Sequence, residues 1–390
     1  MGLATTISFA DAPLPEVDIL VRSTESRGLD AYAAARASEA AARDLTAHPG
    51  GRRIGWIYKK IDSALRGHPR EELLAVMAVL GETRAVVASA LPSEERTTVG
   101  GRQYLGGIPL EASPLGPPNV NRDLVALFGR SHGIAVRSLG LETIRKDAGA
   151  IQHFLRDAGP GVVVADAETD NDLKVLASAM AGSDVRVLCG SAGFARQLAI
   201  TLPLISRVRF SVDPVRGTGP VLVVAGSQHP ATIAQVEALR RAGHPVIHLA
   251  QELIDDPSTS ISGAVAEVAM HLSSGHSTVL TTAGLALSPL GQSFVVERLA
   301  GIVAAPPVRP HIGGLVLTGG HVAAGIFVRL RASALRLGGE IRPAVPWGML
   351  DAELVPCMPV ATKAGSFGTS DALLACVNHI GGRIDHTERS

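Results

Sequence analysis

The sequence has few aromatics, few cysteines, no excess of either charge and no long apolar run. Phe, Trp and Tyr make up 3% of its 390 residues, too few for the stacking platforms that single-stranded nucleic acid needs. Lys and Arg number 36, as do Asp and Glu, so the formal net charge is zero. Bulk attraction to nucleic acid or to an anionic membrane is therefore not expected. The cysteines Cys189, Cys357 and Cys376 are scattered without CxxC spacing. That argues against a disulfide framework or a cysteine zinc site and fits a reducing compartment, so a cytoplasmic location is expected. Thirteen histidines include no HExxH, and no metal site is predicted. No apolar run reaches the roughly 18 residues of a membrane span, and Met1–Phe9 lacks the pattern of a signal peptide. GxxxxGK[ST] does not occur, no GxGxxG follows a predicted strand, and Gly190-Ser191-Ala192-Gly193 after a predicted strand lacks the GxSxG spacing. These absences argue against a Walker-type nucleotide loop, a hydrolase elbow and a nicotinamide-dependent oxidoreductase.

Hydrophobic residues reach 46%, enough for a sizeable core. At about 100–200 residues per domain the chain is expected to hold two or three domains. Short β-branched runs, Gly- or Asp-bearing turns and Ala-rich amphipathic stretches alternate, the signature of βαβ units on a mostly parallel sheet. Strands are predicted at 18–22, 53–58, 84–88, 161–165 and 185–188, with helices at 30–47, 70–80, 171–181 and 192–201. The second half repeats the rhythm, with strands at 220–225, 277–282 and 315–318 and helices at 232–242 and 323–337. Pro203, Pro214 and the run 216–220 place a domain boundary near 203–219.

The densest polar cluster is Tyr58-Lys59-Lys60-Ile61-Asp62-Ser63-Ala64-Leu65-Arg66-Gly67, directly after a predicted strand. Ligands of open α/β sheets bind beyond the carboxyl ends of strands. Lys, Arg and Ser offer donors for a carboxylate, and Asp62 offers an acceptor for a hydroxyl proton. A solvated loop capped by Asp62 or Ser63 is the plainer alternative. Thr24-Glu25-Ser26-Arg27 also follows a strand, and Arg27 suits a carboxylate through its bidentate fork. Pro92–Arg102 and Gly107–Ser113 form a long polar excursion, which suits a ligand loop, and equally a β-hairpin arm or a subunit contact. Asp166 ends a strand and would shape the same end of the sheet or cap the next helix. In the second half, Ala225-Gly226-Ser227, Thr318-Gly319-Gly320-His321 and Lys363-Ala364-Gly365-Ser366-Phe367-Gly368 are glycine turns at strand ends, where free N–H groups suit phosphate oxygens. Ordinary turn chemistry would explain each of them singly.

In this order the segments resemble the four-carbon acid sugar kinase family, which includes D-threonate, D-erythronate and 3-oxo-tetronate kinases. Lys59–Gly67 is similar to the family's KKIDSTLRG and Thr24–Arg27 to its TESR. Arg96-Thr97-Thr98 with Gly107–Ser113 is similar to its GRTT and G-x-PL-x-x-S segments. Gly190-Ser191-Ala192-Gly193 and the three glycine turns follow, so the match covers nearly the whole chain.

The resemblance implies a two-domain α/β fold, each domain with a mostly parallel sheet flanked by helices and the active site in the interdomain cleft. Residues 1–203 would form the acid-sugar-binding domain and 219–385 the nucleotide-binding domain. It implies transfer of a phosphoryl group from ATP, with Mg²⁺, to a hydroxyl of a small acid sugar. Arg27, Lys60, Ile61, Asp62, Ser63 and Arg66 would hold the sugar, with Arg27 and Lys60 on its carboxylate and Asp62 as the catalytic carboxylate. Ser227, Gly319, Gly320, His321, Val322 and Gly365 would hold ATP. The expected partners are the two small molecules, with room for a homo-oligomer. Two departures stand out. The family's opening DD-x-TG-A does not occur, as a wrongly chosen start codon would produce. Its GGDT reads Gly319-Gly320-His321-Val322 here, which no start codon explains. The alternative function is accordingly a catalytically impaired relative that binds an acid sugar and nucleotide.

Overall fold

β-Branched runs become strands here wherever both faces can be covered. The computed structural model describes residues 3–9, 17–47, 55–113, 123–129, 133–202, 219–256, 258–286 and 289–382. The chain opens with β1 (Thr5–Ser8) and β2 (Ile19–Arg22). It then divides into two units, Arg22–Ser206 and Gly2–Val21 with Arg207–Ser390.

The first unit is built on five parallel strands: β3 (Ile57–Lys60), β4 (Arg84–Ala88), β8 (Val136–Leu139), β9 (Gly161–Ala165) and β10 (Val187–Gly190). Their spatial order is β3-β10-β4-β9-β8. The period of two along each strand sorts its side chains between two cores. Val86, Ala88, Val163 and Leu188 enter one, while Ala85, Val87, Val162, Val164, Val187 and Cys189 enter the other. Helices cover the sheet, and their ends are set locally. Asp30 caps Ala31–Thr46 through Ala33 N, and Pro69 opens Pro69–Leu80. Thr169 and Asp172 form a capping box on Asp170–Ala181. The polar excursion is a three-stranded antiparallel arm of β5 (Arg96–Val99), β6 (Arg102–Leu105) and β7 (Ile108–Pro109).

The second unit carries a nine-stranded mixed sheet. It contains β11 (Val221–Ala225), β12 (Val246–His248), β13 (Thr278–Thr281), β14 (Gly314–Thr318), β15 (Ala332–Arg342), β16 (Val345–Ala352) and β17 (Met358–Lys363). The order is β12-β13-β11-β14-β17-β16-β15-β1-β2. From β12 to β17 the pairing is parallel; from β17 through β16 and β15 to β1 it is antiparallel. Ala225, Thr281, Thr318 and Lys363 align across the parallel part, so the turns after them emerge at one edge.

Three expectations are corrected. The first strand of the parallel sheet is Ile57–Lys60 instead of 53–58, so both lysines belong to its end; Lys59 tolerates the sheet because Glu72 is its counter-charge. The strand expected at 185–188 is Val187–Gly190. The helix expected at 323–337 is Gly320–Arg329, since Arg331 takes a left-handed φ of 57° and Ala332 begins the long strand β15. Gly2–Val21 packs with the second unit, where β1 pairs with β15. The predicted boundary, 203–219, falls almost wholly outside the described residues. No helix among the described residues is long and apolar enough to cross a membrane.

Candidate functional site

The carboxyl ends of β3, β10, β4 and β9 bring the first unit's polar segments together. Lys60 ends β3, and its ammonium donates to the Ile61 carbonyl at 2.7 Å. Burial pushes that ammonium below its usual range, partly countered by Asp62. Ile61 is a buried anchor whose N–H donates to Gly190 O at 2.9 Å. Asp62 accepts from Ala64 N at 2.8 Å, which closes a turn. Its carboxylate also takes Arg66 Nε and Nη2 at 3.2 and 2.7 Å, and Arg27 Nη2 lies 3.2 Å away. Burial alone would raise the Asp62 carboxyl, but the bonds from Arg66 and Ala64 and the charges of Arg66 and Arg27 outweigh it. Asp62 is therefore held below the usual aspartate range.

Ser63 is buried between two donors of the arm. Arg96 Nη1 donates to its hydroxyl at 2.5 Å, and Gln103 Nε2 donates to its carbonyl at 3.1 Å. Gln103 Oε1 in turn accepts from Ser89 Oγ at 2.7 Å and Thr98 Oγ1 at 2.8 Å. Asp166 clamps the tip of the arm, accepting from Gly100 N at 2.8 Å and Gly101 N at 2.9 Å. Burial raises its carboxyl despite those bonds. The helix cap considered for Asp166 belongs to Thr169.

The sequence reading singled out the segments of Lys59 and Arg96 without giving either residue a role, and it missed Glu72 and Gln103. Glu72 is a buried carboxylate taking Lys59 Nζ at 2.5 Å and Ser26 Oγ at 2.7 Å. It ties the Thr24–Arg27 turn to β3. A glutamate in an otherwise apolar helical stretch, Glu72-Leu73-Leu74-Ala75-Val76-Met77, was the available signal.

In the second unit, Ser227, Gly319–Val322 and Gly365 stand on the aligned strand ends. A Cβ on Gly365 would lie 2.8 Å from Ser227 Cβ, and one on Gly226 would collide with Val322 Cγ2. Only glycine lets these turns approach so closely. Gly319 has φ 101° and opens the helix Gly320–Arg329 with no side-chain cap, while nothing lies within 4 Å of a Cβ added at Gly320. Free N–H groups at such a helix start favour an anion. His321 is exposed, whereas the Val322 side chain is buried in the core and offers a ligand only its backbone.

Lys363, which opens the third glycine turn, was given no role by the sequence reading. Its buried ammonium donates to the carbonyls of Ala364 at 2.9 Å, Gly365 at 3.4 Å and Phe367 at 3.0 Å. Gln235 Nε2 lies within 3.0 Å of the carbonyls of Phe367, Gly368 and Thr369, and Thr232 Oγ1 donates to Gly365 O at 2.7 Å. The loop thus turns its carbonyls inward. Among the described residues no group of three His, Cys, Asp or Glu is arranged to hold a metal.

A model of a sugar-binding N-terminal domain matches residues 1–198, and a model of a nucleotide-binding C-terminal domain matches 222–373. A D-threonate kinase of Salmonella typhimurium is 32% identical over 398 residues, spanning 96% of this chain and 91% of that one. A 3-oxo-tetronate kinase of Methylobacterium radiotolerans is 30% identical over 401 residues, spanning 95% and 92%. The crystal structure of a Haemophilus influenzae protein shares the fold, with a TM-score of 0.75 at 20% identity over 98% of this chain and 94% of that one. Two domain models in sequence and curated kinases similar along almost the whole length agree with the motifs, and the chain belongs to the four-carbon acid sugar kinase family.

Proposed function

We propose that this protein transfers the γ-phosphoryl group of ATP to a hydroxyl of a four-carbon acid sugar such as a threonate, an erythronate or 3-oxo-tetronate. The observation that carries the reading is the cationic cluster of Lys60, Arg27 and Arg66 about Asp62 at the sheet's carboxyl edge. It suits a small anion bearing hydroxyls. Arg27, Lys60, Ile61, Asp62, Ser63 and Arg66 form the sugar site. Ser227, Gly365 and the backbone of Gly319–Val322 form the nucleotide site, where the glycine cradles leave room for phosphate oxygens.

The sugar oxygen forms a bond to the γ-phosphorus as the bond to the β,γ-bridging oxygen breaks, and ADP leaves. Such a transfer needs positioning and charge neutralisation more than a strong base. Asp62 suits that demand, because a carboxylate held ionised by two arginines orients a hydroxyl and accepts its proton late. Mg²⁺ on the nucleotide would neutralise phosphate charge. The described residues supply no carboxylate cluster for it, so no step is assigned through the ion.

The test is ADP release with each of the three acids and ATP. Turnover on at least one, lost in Lys60→Ala, supports the reading. No turnover on any of them sinks it. A second reading, a binding protein with impaired catalysis, is favoured by the buried Val322, which offers no hydroxyl at the nucleotide turn. Acid binding by calorimetry without a phosphorylated product would select it.

A further inference from the structure

We propose that Arg96 receives the carboxylate of the acid sugar. The inference rests on the acid-sugar reading above and names the group that makes the site select an acid over a neutral polyol.

Arginines around this end of the sheet are largely committed. Arg27 and Arg66 both contact Asp62, Arg70 contacts Glu71, and Arg102 contacts Glu111. Arg96 contacts no carboxylate among the described residues. Its side-chain partner is the Ser63 hydroxyl, reached by Nη1, while its Nε is buried without an acceptor.

The unused edge of the guanidinium is the one that matters. Arg66 holds Asp62 through Nε and Nη2 at 3.2 and 2.7 Å. Arg145 holds Asp172 through the same two nitrogens, both at 3.1 Å. On Arg96 neither nitrogen of that edge makes a hydrogen bond among the described residues, and its Nε is buried. A buried N–H without an acceptor is a standing cost, which an arriving acceptor removes. Two parallel N–H groups match the two oxygens of a carboxylate, whereas a hydroxyl satisfies only one of them.

The mount is rigid. Ser63 is buried next to Asp62, and its carbonyl is held by Gln103, whose own amide is locked by Ser89 and Thr98. A purely structural Arg96, strapping the arm to the Lys60–Gly67 turn, would need only Nη1. Gln103 already makes such a strap. The sequence pattern had pointed to Arg27 and Lys60 for the carboxylate; Arg27 is already engaged by Asp62, which leaves Arg96 as the open fork.

The test is calorimetry and steady-state kinetics on the full chain. Wild type, Arg96→Gln and Arg96→Lys are compared with D-threonate, D-erythronate and 3-oxo-tetronate, and with the neutral polyols threitol and erythritol. Arg96→Gln is expected to weaken acid binding by about 10- to 100-fold, leaving polyol binding and the KM for ATP unchanged. Arg96→Lys keeps the charge without the fork, so its acid affinity should fall between the two. Equal weakening toward acid and polyol, or unchanged acid binding in either variant, overturns the assignment. A wild type that binds none of the acids overturns the acid-sugar reading and this inference with it. A wild type that binds one of them just as Arg96→Gln does overturns this inference alone.

Discussion

Lys59 and Glu72 form an ion pair between β3 and the helix Pro69–Leu80, with Nζ 2.5 Å from Oε2 and side-chain exposures of 12% and 7%. Ser26 Oγ donates to the same carboxylate oxygen at 2.7 Å, so the pair also fixes the turn that carries Arg27. Charges removed from water this far are costly to leave unmatched. Glu72→Ala strands Lys59 and is expected to destabilise the first unit by about 3–5 kcal/mol, read from its urea transition. Lys59→Met, which strands Glu72, should cost a similar amount. A loss below about 1 kcal/mol in both would mean that the pair is solvated.

Asp62 gives a pH prediction with a definite sign. Its folded carboxyl lies below the ordinary 3.8, because Arg66, Ala64 N–H and Arg27 outweigh the effect of burial. The stability it contributes is therefore fully present above pH 3.8 and is lost as the pH falls through its lower folded value. Between pH 5 and 8 Asp62 stays ionised. Its protonation should produce no acid limb in kcat/KM for the sugar across that range. Asp62→Asn is expected to reduce kcat by about 10²–10⁴-fold at every pH there. A limb near pH 6 in wild type that vanishes in Asp62→Asn would show that its pKa is raised instead.

Much of this site was legible in the sequence because its segments each follow a strand, and a parallel sheet delivers strand ends to one edge. That places Lys60, Asp62 and Asp166 together in one unit and Ser227, Gly319 and Gly365 together in the other, whereas Arg27, which follows β2 of the nine-stranded sheet, is brought to Asp62 by side-chain contacts. Depth was not legible. Lys59 and Lys60 are adjacent and identical in type, yet one points to a buried glutamate and the other to the loop carbonyl of Ile61. Val322 reads as part of a polar turn but packs beneath Gly226. The placement of β1 was hidden as well, since its partner β15 stands more than 300 residues away and local patterning carries no trace of such pairing.

The close approach of Gly226 and Val322 predicts a compensating pair. Gly226→Ala adds a methyl that collides with Val322 Cγ2, and such overpacking costs about 1–3 kcal/mol. Val322→Ala removes the colliding methyl groups and leaves a small void. The double variant is expected to be less destabilised than the sum of the singles, as residues in contact usually couple by about 0.5–3 kcal/mol. Its KM for ATP should return toward wild type if the turn regains its path. Strict additivity in both readouts would mean that the two residues do not touch.

Lys363 closes the set. Burial pushes its ammonium below the usual 10.5, and the described partners around it are carbonyls rather than a carboxylate. In the window between its folded value and 10.5 the unfolded chain binds more protons than the folded one, so folding stability rises with pH there. Lys363→Met lacks this term. The stability difference between wild type and Lys363→Met should therefore shift in favour of wild type as pH rises toward 10.5, read from denaturation midpoints at several pH values. The same variant releases the carbonyls of Ala364, Gly365 and Phe367 from their shared donor, so the loop should lose its inward-facing set. We expect the KM for ATP to rise by about tenfold while the KM for the acid sugar stays within about twofold, because one charge-assisted anchor is removed only from the turn proposed to hold the nucleotide. An equal rise in both constants would instead mean general loosening of the fold.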